Sequence, residues 1–466
     1  MNQLEQIEKK FSAILISILF LTLVACGSSP LPEPYEPEQS QPYETAPHSP
    51  TQEPYRETSP ATRRTLPAPQ GSWAYINWDN VAGMGITRKE FIADFDYMLY
   101  VLEENYPFFG AIYRRLGVDM RAQAAQLRET LADENYYLDM ETFIYLLRRD
   151  FIEPAAFIGH LNLVSPAGFH ARLNLLTDIN HTYHPNWPAL NHPASLEFYG
   201  EAALGETLLM PHHQLLGYDE NLILEILEPG RIAYFRMVTM RASGQISFDP
   251  DIERMSAIYE EIRGFEHLII DIRGNPGGQM LFDFLVLAPH LDEVLSVPMY
   301  GFYMGGAHNL RFLDGWIHNP QNRRNPDLNL PYFDPADLQL IDYVYADPWT
   351  VDPNRRGIPL PYPRFDGKIW LLIDGGGFSM AERAAFMSKQ TGFITLVGEQ
   401  SGGVVGGTEA TWIAMPNSGV LFSYDAIRIT DQYGRCLNEV PTQPHYFNRP
   451  GMDALETVLA IIAEST

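Results

Sequence analysis

Ser379 stands in Asp374-Gly375-Gly376-Gly377-Phe378-Ser379-Met380-Ala381-Glu382, directly after the apolar run Ile369-Trp370-Leu371-Leu372-Ile373. A strand that breaks at glycines and re-forms as a helix lifts a serine Oγ clear of the sheet, where it can act as a nucleophile. An earlier stretch, Leu268-Ile269-Ile270-Asp271-Ile272-Arg273-Gly274-Asn275-Pro276-Gly277-Gly278, repeats that design. Glycines let backbone N–H groups converge on one point, as the oxyanion of acyl transfer requires. The expected donors are the N–H of Met380, next after the nucleophile, and that of Gly278 in the opposed turn. Ser379 and Glu382 also satisfy the capping box Ser-x-x-Glu, a role compatible with nucleophilicity that would make Glu382 a structural cap. Together the two turns point to a hydrolase, with a serine peptidase first among the candidates.

The elements that must hold these turns begin at Gly230, where strand-like and helix-like segments alternate, as in a largely parallel sheet with crossover helices. Arg231–Val238, Leu268–Ile272, Ile369–Ile373, Phe393–Val397 and Leu421–Arg428 read as strands. Asp251–Arg263 reads as a helix, with Ile252, Met255, Tyr259 and Ile262 on one face and Gly264 as its stop. A Pro- and Asn-rich excursion from Gly305 to Pro363 interrupts this rhythm and is expected to be a lid or substrate-binding flap. Ahead of the core, Thr87 and Glu90 form a capping box before Phe91, Phe95, Met98, Leu99 and Leu102 at helical spacing. Further helices are expected over Asp119–Ala132 and Asp139–Phe151, then a short strand at Gly159-His160-Leu161-Asn162-Leu163.

The chain has 466 residues, of which 45% are hydrophobic and 12% aromatic, enough for a sizeable core in two or three domains. Its net charge of −26 repels phosphate backbones and excludes nucleic acid as a partner. Lys9-Lys10 precede an uncharged run from Phe11 to Ala25, too short for a membrane span and typical of a signal segment. The run ends in Leu23-Val24-Ala25-Cys26-Gly27, which resembles the lipobox of bacterial lipoproteins; the resemblance implies cleavage before Cys26 and a diacylglycerol on its sulfur. From 27 to 72 the Pro-, Glu- and Ser-rich composition predicts a disordered tether. Only Cys436 then remains, so no intramolecular disulfide is expected. The expected division is a signal segment at 1–26, the tether at 27–72 and a helical domain at 73–165. A connecting region at 166–229, a candidate degenerate peptide-binding module, and a catalytic core at 230–466 with its insertion at about 305–363 complete it.

In order and spacing, Asp271-Ile272-Arg273-Gly274-Asn275-Pro276-Gly277-Gly278, Ser379-x-x-Glu382 and Leu396-Val397-Gly398-Glu399 resemble the tail-specific or C-terminal-processing serine peptidases and their tricorn-like relatives. That resemblance spans about Arg231 to Ile462. It implies an α/β fold with a ClpP/crotonase-like core behind the N-terminal helical domain, and peptide-bond hydrolysis through a serine nucleophile.

A serine needs a base. The processing branch uses a lysine where this chain has Val404, so that dyad is absent. Lys389 does not replace it, because its place along the helix puts it about 15 Å from Ser379. The tricorn-like branch takes its base from a histidine after the helical region, which implies His160. Imidazole titrates near neutrality, so activity is expected to fall below about pH 6.5. Relatives carry a serine before that histidine, where this chain has Gly159. The resemblance further implies Glu439, in Arg435-Cys436-Leu437-Asn438-Glu439-Val440-Pro441, as the group that orients the base.

Asp271 and Arg273 read as a fold-holding ion pair. His181-x-x-His184 and His212-His213 have no acidic or cysteine partner at zinc-site spacing, so no metal or cofactor is expected. The resulting expectation is a lipid-anchored endopeptidase on the extracytoplasmic face of the cell membrane, acting on extended peptides or proteins. The alternative is an inactive peptidase-fold lipoprotein that binds peptides or acts as a scaffold; the missing lysine and Gly159 favour it.

Overall fold

The computed structural model describes residues 73, 76, 78–178, 183–202, 218–243, 247–314, 321–322, 328–354 and 364–465. The signal segment with Cys26, the tether at 27–72, His181 and His212-His213 lie outside the described residues.

Thr87 caps helix α1 (Arg88–Asn105), and both halves of its capping box with Glu90 form. Helix α2 (Phe109–Leu116) stops at the left-handed Gly117, while Asp119 and Asp139 cap α3 (Met120–Ala132) and α4 (Met140–Leu147). The apolar face of α1 packs on these helices through Phe91 against Phe143, ring centroids 4.6 Å apart, and Phe95 against Phe151 at 5.7 Å. The helix expected to run to Phe151 instead widens into a π-turn over Arg148–Ile152. It then bends through Ala156 and Phe157, both in the left-handed region, to a 3₁₀ turn at Ile158–His160. His160 is therefore not in a strand, because its φ of 47° cannot be extended. Only β1 (Asn162–Leu163) is. The described residues that follow are helical, chiefly α5 (Pro166–Asp178) and α6 (Pro193–Ala202).

The core then alternates as the sequence predicts, except that the single strand expected over Leu421–Arg428 is two, broken at 425–427. In chain order come β2 (Leu222–Glu228), β3 (Ile232–Met237), α7 (Asp249–Glu261), β4 (His267–Asp271), β5 (Met299–Tyr303), β6 (Tyr343–Ala346) and β7 (Lys368–Ile373). Next are α8 (Met380–Thr391), β8 (Ile394–Gly398), β9 (Thr411–Ala414), β10 (Leu421–Tyr424), β11 (Arg428–Asp431), β12 (Tyr446–Phe447) and α9 (Ala454–Glu464). The main sheet has the order β12-β8-β7-β4-β3-β2, parallel throughout except at β2–β3. Its strands read as unbroken apolar runs because both faces are covered. Leu268, Ile270, Ile369 and Leu371 face the cluster that includes Met255 and Ile258 of α7 and Ala381 and Ala385 of α8. Ile269, Trp370, Leu372 and Val397 face Ala454, Val458 and Ile462 of α9. This is a mixed α/β fold with a ClpP/crotonase-like core and a helical N-terminal region.

β4 and β7 are neighbours, with Asp271 opposite Leu372, so their C-terminal ends deliver the two glycine turns side by side. Around them, β1, β10 and β9 form a small antiparallel sheet, and β5 pairs with β6 and β11 in another. That second sheet changes the reading of the 305–363 insertion. Phe333, Ile341 and Val344 bury against Phe302 and Met304 in a core of their own. The described middle of the insertion is therefore packed structure and not an irregular loop, its apolar positions being spaced too widely among Pro, Asn and Asp to show as a pattern. Residues 315–320, 323–327 and 355–363 lie outside the described residues.

Candidate active site

Ser379 sits where β7 gives way to α8, with φ 59° and ψ −121°, a conformation that costs an L-residue free energy. Two neighbours enforce it: the Ser379 N–H donates to the Gly403 carbonyl at 3.0 Å, and Arg383 N–H donates to the Ser379 carbonyl at 3.1 Å. The side chain makes no capping hydrogen bond, so the capping-box reading of this serine fails and Oγ is left free of the helix. Glu382 is a tie rather than a cap. Fully buried, it accepts from Gly403 N–H at 3.1 Å and from Thr442 N–H and Oγ1 at 2.9 and 2.7 Å. Burial raises its pKa, and those hydrogen bonds oppose the shift.

The opposed turn is locked to the Ser379 turn. Asp374 Oδ1 accepts from Gly274 N–H at 2.8 Å and Gly376 N–H at 3.0 Å, joining the two glycine turns. Asn275, fully buried, accepts Gly277 N–H on Oδ1 at 2.8 Å and Phe378 N–H on its carbonyl at 3.2 Å. Gly277 and Gly278 have φ of 82° and 143°. Among the described residues, neither the Gly278 N–H nor the Met380 N–H is spent on a backbone carbonyl. Gly277 Cα lies so close to Ser379 that an added Cβ would stand 2.8 Å from Ser379 Cβ and 2.7 Å from Met380 N. Beneath the turn, Arg273 grips buried Asp271 with Nε and Nη2 at 3.0 and 2.8 Å, the structural pair expected there.

His160 reaches the core through β1. The antiparallel register pairs Asn162 with Ser423 and Leu163 with Phe422, which carries His160 opposite Asp425. Its Nδ1 is 2.7 Å from Asp425 Oδ2, and Asp425 N–H donates to the Gly159 carbonyl at 2.6 Å. Asp425 is buried, and its other oxygen, Oδ1, has no hydrogen-bond partner among the described residues. Burial works against a charged imidazole, but the charge of Asp425 and its hydrogen bond outweigh it and raise the His160 pKa above the usual 6.5. Gly159 has a physical reason to lack a side chain: a Cβ there would meet the Phe108 ring at 2.5 Å and the Tyr106 ring at 2.8 Å.

The loop at 403–405 joins the two halves. Gly403 holds the Ser379 N–H, while the Val405 carbonyl accepts from Asn438 Nδ2 at 2.9 Å, and Asn438 Oδ1 in turn accepts from the Gly159 N–H at 3.1 Å. Phe157 and Phe378, flanking the two candidate residues, are in ring contact at 5.8 Å. No hydrogen bond joins Ser379 Oγ to the His160 ring.

Ala156, Phe157, His160, Ser379 and Val404 are the non-glycine residues with left-handed φ among those described. All five belong to this junction, and backbone strain of this kind persists where a site over-determines it. Val404, at the place of the absent lysine, is buried, and the guanidinium nearest this loop, Arg115, is tied to the carbonyls of Gly402 at 3.1 Å and Asn438 at 2.7 Å. Lys389 points elsewhere, donating to the Gln443 carbonyl at 3.0 Å.

Glu439 does not meet His160. Its Oε1 accepts from Arg114 Nε at 2.5 Å and its Oε2 from buried Arg428, which also pairs with Asp337 of the insertion. Two guanidinium groups already neutralise it, and strand register gives the imidazole Asp425 instead. Sequence reasoning missed Asp425, which no local motif marks.

Residues 231–447 match the family profile described as Peptidase family S41. This core belongs to peptidase family S41. As an S41 core it has the strand–turn–helix setting that the two glycine motifs suggested. Mature CPAF complexed with lactacystin superposes with a TM-score of 0.50 at 15% identity, covering 81% of this chain and 97% of that one. A candidate peptidase from Parabacteroides merdae gives a TM-score of 0.48 at 16% identity, covering 82% and 97%. A photosystem II D1 C-terminal processing protease gives 0.31 at 17% identity, covering 50% and 49%. At these identities the likeness is one of fold. A sequence comparison with curated proteins gives no match.

Proposed function

We propose that this protein is a serine endopeptidase of extended peptides or proteins, with Ser379 as nucleophile and His160 as general base. Asp425, in place of Glu439, orients the base, and the N–H groups of Gly278 and Met380 receive the oxyanion. The observation that carries the reading is the His160–Asp425 pair at 2.7 Å, joined through the 403–405 loop to a strained Ser379. Asp425 on Nδ1 leaves Nε2 to take the serine proton and return it to the leaving amine. A fluorophosphonate probe is expected to label the wild type and not Ser379→Ala; equal labelling of both, or of neither, defeats the serine mechanism and favours a peptide-binding scaffold.

The same proposal places the protein on the outer face of the cell membrane through a lipid on Cys26, on the strength of the charged start, the short apolar run and Leu23-Val24-Ala25-Cys26. Wild type is expected in the membrane pellet with an acylated N-terminus, and Cys26→Ala in neither state. Equal recovery of both in the pellet would remove the anchor from the proposal.

A further inference from the structure

Met240 and Arg241 lie directly against the oxyanion turn. Met240 N–H donates to the Gly277 carbonyl at 3.0 Å, and Gln279 N–H donates to the Met240 carbonyl at 2.9 Å. A Cβ on Gly278 would stand 2.7 Å from Arg241 Cγ, so the stem of this arginine runs beside the proposed oxyanion donor. Its backbone is pinned: Arg241 N–H donates to Thr239 Oγ1 at 3.1 Å, and its carbonyl accepts from Asn221 Nδ2 at 3.2 Å. Its guanidinium, in contrast, has no hydrogen bond or ion pair among the described residues. It is the one arginine among the described residues in that condition.

With 58 acidic residues against 32 basic ones, a cation on this chain ordinarily finds a partner. Arg172, for instance, pairs with Glu409. The Arg241 side chain is accessible to solvent, yet desolvation lowers its pKa. The guanidinium thus extends from a stem beside Gly278 with no carboxylate partner among the described residues. Arg172 shares that electrostatic space, since burial and then the charge of Arg241 push it down to about 10. A cation without a carboxylate partner beside a candidate reaction centre is free to pair with an anion of a ligand.

We infer that Arg241 binds a carboxylate of the substrate close to the scissile bond, making the protein selective for peptides that carry a negative charge there. The inference rests on the peptidase reading above and adds the substrate class. A side-chain Asp or Glu and a chain-terminal carboxylate would both supply the group. The long-range field of a chain with net charge −26 disfavours acidic peptides, so a preference for them must come from a local cation.

The test measures binding rather than turnover, on full-chain Ser379→Ala, with fluorescently labelled peptides of Ala, Leu and Ser. One arm walks a single Glu along the peptide against Gln at the same place. The other compares a free C-terminal carboxylate with its carboxamide. In at least one arm the charged member is expected to bind about tenfold tighter, as a charge-assisted hydrogen bond implies. Adding Arg241→Ala should bring that ratio to one, Arg241→Lys should retain part of it, and Arg241→Glu should turn the preference toward a Lys-containing peptide. No charge preference in either arm, or a preference that survives Arg241→Ala, overturns the inference. If the Arg241-dependent preference appears but the wild type neither reacts with fluorophosphonate nor cleaves, the peptidase reading fails and the carboxylate site stands. If the wild type cleaves neutral and acidic peptides alike, with no preference in binding, the reverse holds.

Discussion

Asp425→Asn is expected to lower kcat by about four powers of ten, the penalty of a triad carboxylate replaced by its amide. It should also move the acid limb of the kcat/KM profile to lower pH. Asp425 acts on His160 in two ways. Its hydrogen bond at 2.7 Å fixes the tautomer that leaves Nε2 basic, and its charge favours the imidazolium. Burial opposes the imidazolium, but the carboxylate wins, so the His160 pKa lies above 6.5. The base is therefore lost as pH falls through a value above 6.5, higher than an unperturbed imidazole would give. With Asn in place, the raising influence goes and the lowering one stays, which shifts the limb toward acid even as the rate collapses.

Stability follows the opposite sign. A histidine whose folded pKa is raised stabilises the fold fully below its unfolded value, and that contribution disappears as pH rises through the folded one. Acid thus holds the His160–Asp425 pair together while removing the free base. Glu439→Gln is the contrasting variant. It should lower the Tm by weakening the contacts to Arg114 and Arg428, and leave the acid limb where it was. If Glu439→Gln moved the limb and Asp425→Asn did not, the orienting carboxylate would be Glu439 after all.

What the sequence made legible is local. The nucleophile turn, the glycine turn opposite and the parallel strands beneath them are each written in one contiguous stretch, because an apolar run, a glycine and a helix signal act on their own neighbours. Asp425 is different. Only the pairing of β1 with β10 puts it on His160, and nothing in Phe422-Ser423-Tyr424-Asp425 announces that register. The family pattern pointed to Glu439, whose local motif is intact but whose partners, Arg114 and Arg428, come from a distant helix and from strand β11. Glu382 misled for a related reason. Ser-x-x-Glu satisfies the capping pattern, yet a serine at φ 59° cannot adopt the extended cap geometry, and the carboxylate turns to Gly403 and Thr442. The insertion read as a flap because its composition is loop-like, although a few well-placed residues give it a core.

Gly277→Ala is expected to remove turnover while leaving the fold in place, and Gly274→Ala is the comparison that isolates why. Both glycines have positive φ, 82° and 69°, so an alanine at either costs about 1–2 kcal/mol of backbone strain. A Cβ on Gly274 has nothing within 4 Å, and the strain is all it adds. On Gly277 the methyl would lie 2.7 Å from both Met380 N and the Phe378 carbonyl and 2.8 Å from Ser379 Cβ. Those contacts are backbone and nucleophile, which cannot swing aside as a flexible side chain would. The glycine turn must therefore retreat, carrying the Gly278 N–H away from the Met380 N–H with which it would share the oxyanion. Loss of one such donor lowers kcat by about two to three powers of ten, and displacement of Ser379 itself adds to that. Thermal melts should show both variants folded, with Gly277→Ala the less stable of the two, and KM for a peptide substrate little changed. Fluorophosphonate labelling should slow sharply for Gly277→Ala and only modestly for Gly274→Ala. Matching kcat and labelling rates in the two variants would mean that the glycine turn contributes strain but no oxyanion donor, and the proposed hole would have to be sought elsewhere.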